Sequence, residues 1–338
     1  MRRTRAKFLS SVPEIRQIFT QNLLQWKKLT PSLFLTTTPA SKFRVGGGQV
    51  LSPEAIRGRS DVLVLICSAQ PKVQREVSAQ LKDLGVSFLS VDEYIFSKRI
   101  SELVKCAEIL EDEESAEAFA EIIESRLMNR FPEGKIFNRY QYFALPEFCT
   151  RSEKEIFVDC GAFVGDTIED YIFTHGGTFG KIFAFEPDSI NFAAMATRVE
   201  RLNIEWALPK NKIHLVDAGA GRKTITGSLS KHAALSSMIS EQENSGGDSI
   251  KIYALDDFFA EQKIDFLKAD IESFELDMLQ GAEKIIRRDL PKMAICIYHN
   301  ASDMYRILLW LAALNLGYKF SIRHHTPMNS DTVLYAYT

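Results

Sequence analysis

Two aspartates bracket two glycines in Asp159-Cys160-Gly161-Ala162-Phe163-Val164-Gly165-Asp166, directly after the apolar run Ile156-Phe157-Val158. A glycine lets the backbone come close to a ligand, and the N–H groups that open a following helix then face it. Two carboxylates in such a turn repel a phosphate and favour a ligand with positive charge or hydrogen-bond donors. Further polar groups follow other apolar runs. Glu186 ends Ile182-Phe183-Ala184-Phe185, Asp217 follows His214-Leu215-Val216, Asp270 ends Phe266-Leu267-Lys268-Ala269, and His299 follows Ile297-Tyr298. A carboxylate placed like Glu186 can accept hydrogen bonds from both vicinal hydroxyls of a ribose.

These residues need a scaffold that brings strand ends together. Apolar runs at 156–160, 181–186, 212–217, 264–269 and 293–298 alternate with helical patterns at 166–173, 189–202, 274–286 and 302–315. Such alternation predicts a doubly wound α/β fold, a mostly parallel sheet covered on both faces. Ligands of such sheets sit outside the carboxyl ends of the strands, near the topological switch. Strands at 318–323 and 332–337, with only a loop between them, predict a closing antiparallel hairpin. A polar hairpin at 222–229, a Ser/Gly-rich loop at 236–249 and a strand at 250–254 fill the remaining stretch.

The N-terminal part reads as a smaller α/β domain. A strand at 61–67, an amphipathic helix at 73–84 and a strand at 86–91 form a β-α-β unit. Its turn, Ser68-Ala69-Gln70-Pro71, lacks the glycines of a dinucleotide fingerprint, so a scaffold or interaction role is expected. Ahead of it, Phe8, Ile15, Ile18, Phe19, Leu23 and Leu24 recur with helical spacing, residues 30–41 read as a loop, and Gly46-Gly47-Gly48 as a flexible connection. Residues 100–128 look helical, with Glu111-Asp112-Glu113-Glu114 as a solvated face or turn. The aromatic segment 131–148 is expected to bridge to the second domain and cover the mouth of its site. The boundary is placed between 1–135 and 136–338.

Composition sets the outer limits. A net charge of −3 argues against a general nucleic-acid partner. No apolar run reaches the roughly 18–20 residues of a membrane span, and the basic N-terminus lacks a signal peptide's hydrophobic centre, so a cytoplasmic protein is expected. The cysteines at 67, 106, 149, 160 and 296 show no C-x-x-C spacing, which supports neither a disulfide framework nor a zinc site. Cys67, Cys160 and Cys296 are expected as buried thiols within apolar runs.

The loop at 159–166 and the segment Lys268-Ala269-Asp270-Ile271-Glu272-Ser273-Phe274-Glu275, followed by Gly281-Ala282, are similar to the FkbM family of S-adenosylmethionine-dependent methyltransferases. Tyr298-His299 and the terminal Asp331-Thr332-Val333-Leu334-Tyr335-Ala336 extend the likeness, which spans roughly residues 140–338. Ser273 stands where the family commonly has glycine. The resemblance implies a seven-stranded, Rossmann-like methyltransferase sheet with S-adenosyl-L-methionine as cofactor. It implies cofactor contacts from Asp159, Gly161, Ala162, Gly165, Asp166 and Thr167, a ribose contact from Glu186, and Asp217 with Ala218 near the adenine. Asp270 or Glu272 would face the methyl-transfer region, and His299, whose imidazole can titrate near neutrality, is the candidate general base beside them. His324 or His325 could line the acceptor pocket.

The acceptor class that the resemblance implies is a hydroxyl on a sugar, a glycan precursor or another small metabolite. Asp270, Glu272 and His299 could together hold a divalent ion, but no metal is assigned. The N-terminal domain could serve self-association. Two rivals stay open: an NAD-dependent oxidoreductase, for which Glu186 is suitably spaced but the acidic loop is not, and a non-catalytic cofactor-binding scaffold.

Overall fold

The computed structural model describes residues 34–35, 44–45, 48–68, 70–230, 238–240 and 248–338. The expected helix within 8–24, most of the loop at 30–41, Gly46 with Gly47, and most of the 236–249 loop lie outside them. Gly48 opens a short strand, Gly48–Leu51. The chain divides into two compact units, residues 1–108 with 116–136 and 327–329, and residues 109–115 with 137–326 and 330–338.

In the first unit, β1 (Leu63–Ile66) and β2 (Ser87–Ser90) run parallel, joined by α1 (Pro71–Asp83). Pro71 suits the first turn of that helix because its missing N–H would have no partner there. Ile56, Ile66, Leu81, Leu84 and Val86 form the core of this β-α-β unit. A capping box of Ser90 and Glu93 starts α2 (Val91–Lys98). Cys67 lies just beyond β1 and is exposed, because the strand ends one residue before it; Cys160 and Cys296 are buried as expected.

The helical stretch at 100–128 is two helices, α3 (Ile100–Ile109) and α4 (Glu113–Leu127). Between them, the Glu111 N–H donates to the Phe320 carbonyl at 2.8 Å. Asp112 caps the second helix through the Ser115 N–H and pairs with Arg323 at 3.1 Å. The cluster thus forms the turn between the two helices, one of the two readings expected for it, and Asp112 ties that turn to Arg323.

The second unit is built on seven strands: β3 (Ile156–Cys160), β4 (Lys181–Phe185), β5 (Ile213–Val216), β6 (Phe266–Ala269), β7 (Lys292–Cys296), β8 (Lys319–His324) and β9 (Thr332–Tyr337). Their order is β8-β9-β7-β6-β3-β4-β5. The five strands β7-β6-β3-β4-β5 are parallel, and β9 is antiparallel to both of its neighbours. The sheet reverses direction of growth at β3, which leaves a crevice at the carboxyl ends of β3 and β6. The segment at 219–253 forms a separate four-stranded sheet, so the strand expected at 250–254 does not extend the main one.

The strands connect through α5 (Asp166–His175), α6 (Ser189–Glu205), α7 (Glu275–Gln280), α8 (Glu283–Asp289) and α9 (Asp303–Ala313). The helix expected at 274–286 breaks at Gly281, where a Cβ would collide with the Gly221 carbonyl oxygen. Phe157 of β3 stacks on Tyr171 of α5 at 4.4 Å, and Phe266 lies 4.7 Å from Phe157. Each aromatic side chain buried here contributes roughly 2–3 kcal/mol of hydrophobic stabilisation and fixes α5, hence the loop before it, against the sheet. Among the described residues no helix is long and apolar enough to cross a membrane.

Candidate active site

A cavity of about 380 Å³ opens at the carboxyl ends of β3, β4 and β6, a size that suits one nucleoside-sized ligand. Its floor is the loop between β3 and α5. Gly161 has a φ of +80°, and a Cβ there would collide with the carbonyl oxygen of Asp270. The glycine thus allows two strand ends to touch, and the Asp270 N–H completes the approach by donating to the Cys160 carbonyl at 3.0 Å. Gly165, also left-handed, is the N-cap of α5.

Asp159 and Lys268 are nearest neighbours in the register of β3 and β6, so both side chains project from one face of the sheet. They form an ion pair of 2.9 Å with both side chains almost wholly buried. Lys268 Nζ also donates to the Gly161 carbonyl at 2.8 Å. Burial opposes the lysine's charge, but Asp159 and Asp270 outweigh it and hold the ammonium in its charged form. Asp159 therefore stands behind the loop and fixes it through Lys268; it is not part of the cavity wall.

Glu186 is 6% exposed and lines the cavity. Its Oε2 accepts from the Phe163 N–H at 2.9 Å and its Oε1 from the Asp188 N–H at 2.9 Å, which ties the first loop to the end of β4. Burial raises its pKa in spite of these donors. The Asn191 side-chain amide also donates to Oε1, at 3.5 Å, so Oε2 keeps a lone pair for a ligand hydroxyl.

On the opposite side, Asp270 is the centre of a polar network. Tyr142 Oη donates to its Oδ2 at 2.8 Å and Tyr298 Oη to its Oδ1 at 3.1 Å. His299, whose side chain is 5% exposed, sets Nε2 at 3.3 Å from Asp270 and 3.6 Å from Glu272, and Nδ1 at 3.0 Å from Glu275. Neither ring nitrogen meets hydrogen-bond geometry, so the attraction is that of an ion pair. Burial works against the imidazolium, but Asp270 and Glu275 outweigh it and push the pKa up to about 10. Burial likewise opposes the Asp270 charge, and His299, Lys268 and Tyr142 hold that carboxyl well below the usual range. Glu272 shifts the other way, raised by burial and by the neighbouring carboxylates.

Asp270, Glu275 and His299 present ligand atoms within 4.8 Å of one another. His299 Nε2 faces Asp270 and Nδ1 faces Glu275, the arrangement a protonated imidazole takes between two acids.

Of the residues expected from sequence, Gly161, Asp166, Thr167, Glu186, Asp270 and Glu272 line the cavity. Ala162 and Gly165 shape the loop without reaching its wall, and His299 lies behind Asp270. Asp217 is exposed and Ala218 is buried away from the cavity; the next two residues, Gly219 and Ala220, line it instead. His324 bonds to Thr332, while His325 bonds to Asn138 and to the Tyr335 hydroxyl, and neither lines the cavity.

Sequence reasoning missed Asp170, one helical turn after Asp166 and so on the same face of α5, and Asp331 beside the start of β9. It also missed a role for Lys268, although a lysine inside an apolar strand is itself a signal. Gln141 and Tyr142, from the aromatic segment expected to cover the site, do line it.

Residues 159–320 match the family model described as "Methyltransferase FkbM domain". Among solved structures, the chain is similar to the methyltransferase FkbM from Methylobacillus flagellatus KT, with 23% identity and a TM-score of 0.59 over 86% of this chain and 79% of that one. It is also similar to an rRNA methylase from Streptococcus thermophilus, with 16% identity and a TM-score of 0.37 over 58% of this chain and 95% of that one. No curated protein matches the chain. At these identities the first of the two likenesses speaks for the fold, and the second adds no argument.

Proposed function

We propose, from the match of residues 159–320 to the FkbM methyltransferase domain model, that the protein transfers the methyl group of S-adenosylmethionine to a hydroxyl of a sugar, glycan precursor or other small metabolite. The observation that carries this reading is the acidic wall of the cavity. Glu186 lines the cavity where it could accept from a ribose, whereas a pyrophosphate would meet Asp166 and Asp170 in the first turns of α5. Those charges favour a sulfonium cofactor over NAD.

In this reading, Gly161, Asp166, Thr167 and Glu186 hold the cofactor, with Gly219 and Ala220 beside its base. Asp159 is a positioning residue, acting through Lys268. Methyl transfer is an in-line displacement: the acceptor oxygen forms a bond to the methyl carbon as the carbon–sulfur bond breaks, leaving S-adenosylhomocysteine. Much of the rate then comes from positioning. The acceptor's proton passes to Glu272, whose raised pKa makes it the better base of the two carboxylates. Asp270 accepts a hydrogen bond from the acceptor and orients it. An imidazolium cannot take a proton, so His299 holds Asp270 and Glu272 in place and does not serve as the base. We assign residues 1–135 an accessory role in self-association or partner binding.

Incubating the enzyme with isotope-labelled S-adenosylmethionine and candidate hydroxyl compounds tests the reaction type. The product's methyl resonance should be that of a methyl ether; an N-methyl or S-methyl resonance would refute oxygen as the acceptor.

A further inference from the structure

The proposed reading leaves the acceptor's chemistry open, and the charge of the cavity narrows it. Asp166, Asp170, Glu186, Asp270, Glu272 and Asp331 all line one cavity of about 380 Å³. Among the described residues, Lys268 is the one basic side chain on its wall, and it is already engaged by Asp159 and the Gly161 carbonyl. His299, behind the wall, is shared among Asp270, Glu272 and Glu275. S-adenosylmethionine carries a sulfonium, an ammonium and one carboxylate, a net charge of about +1, so it cannot balance this wall by itself.

Three of the six carboxylates, Asp270, Glu272 and Asp331, lie on the side assigned to the reaction. Asp270 has two tyrosine hydroxyls and an imidazolium as partners, whereas Asp331 has a single long contact of 3.4 Å from the Ser330 hydroxyl and a share of Tyr298. Burial and the nearby Asp270 raise the Asp331 pKa, and the Ser330 and Tyr298 hydroxyls and the more distant His299 only partly oppose them. A phosphorylated acceptor would bring two further negative charges into this space.

Resting on the methyltransferase reading, we propose that the acceptor carries an ammonium group, anchored by Asp331, beside the hydroxyl that is methylated. A protonated amine has no lone pair, so it anchors while the hydroxyl oxygen attacks.

The test uses three sugars that differ in charge at a common skeleton: glucosamine, glucose and glucose 6-phosphate. Each is titrated into the full-length protein saturated with S-adenosylhomocysteine, once with a chelator and once with added magnesium. Glucosamine should bind about tenfold more tightly than glucose, and glucose 6-phosphate more weakly than either, whether or not magnesium is present. Asp331→Asn should remove most of that preference while leaving S-adenosylhomocysteine affinity unchanged. Asparagine accepts the left-handed backbone of this position, φ +58°, as readily as aspartate, so the variant should fold.

Equal affinities, no measurable glucosamine binding, or a preference for glucose 6-phosphate that depends on magnesium would each overturn the proposal. The last would instead mark the acids as a metal site serving a phosphate. Failure of S-adenosylhomocysteine to bind at all would overturn the methyltransferase reading itself, which keeps the two failures distinct.

Discussion

The Tyr142 hydroxyl donates a 2.8 Å hydrogen bond to Asp270 Oδ2, while the ring of the same tyrosine lies 4.9 Å from the Lys268 ammonium. One side chain thus touches both polar centres of the site, the carboxylate we propose to face the reaction and the lysine that holds the glycine loop. Tyr142 has a φ of +65°, an uncommon conformation for a large residue and one that packing must sustain.

Replacing Tyr142 with phenylalanine separates these two contacts. The ring over Lys268 is kept and the bond to Asp270 is lost. Methyl transfer should slow by roughly ten- to a hundredfold, as expected for a lost hydrogen bond to a charged group. S-adenosylhomocysteine affinity should stay within about threefold of wild type, since the bond lies on the reaction side. An equal loss in both quantities, measured by steady-state rates and calorimetry, would move Tyr142 from the reaction side to cofactor binding.

His299 and His325 should bend the pH–stability profile in opposite directions. The folded-state pKa of His299 is raised from 6.5 to about 10, so its contribution is fully present below about pH 6.5 and is lost as pH rises towards 10. Burial lowers His325 from 6.5 to about 4, so its contribution is present above pH 6.5 and is lost as pH falls towards 4. Urea denaturation across this range should show a maximum near pH 6.5. His299→Gln should flatten the alkaline limb and His325→Gln the acid limb. An alkaline limb unchanged by His299→Gln would show that the imidazole is neutral in the fold.

Glu272 and Ser273 have φ values of +53° and +81°, two successive left-handed residues that are not glycine. Each costs about 1–2 kcal/mol relative to a residue that visits this region freely. Ser273→Gly should therefore stabilise the protein by about 0.5–1 kcal/mol after the greater entropy of an unfolded glycine is deducted. Chemical denaturation measures this directly. A loss of stability would mean that the serine hydroxyl contributes more than its backbone costs.

Much of the site was legible because strand ends are legible. Glu186 and Asp270 each end an apolar run, and a doubly wound sheet gathers such ends at one edge. Groups that depend on register were harder to see. Lys268 faces Asp159 only because β6 lies beside β3 without offset, and a strand's neighbour cannot be read from the strand itself. Tyr142 lies 128 residues from its partner Asp270, in a segment with no repeating pattern. His299 was expected as a base from its intrinsic pKa; the carboxylates around its buried ring raise that pKa, and no strand pattern could announce them. Asp217 shows the opposite error: it ends its strand as expected, but the chain turns there and gives the cavity wall to Gly219 and Ala220.

Paired titrations of the full-length protein with S-adenosylhomocysteine and with NAD, repeated on Glu186→Gln, test the central claim most directly. A glutamine at 186 must turn its NH₂ towards the N–H of Phe163 or of Asp188, which costs a loop bond as well as a ribose contact. The account predicts S-adenosylhomocysteine binding to the wild type, about tenfold or greater weakening in the variant, and no binding of NAD. Binding of NAD without S-adenosylhomocysteine, or an unchanged S-adenosylhomocysteine affinity in Glu186→Gln, would contradict it.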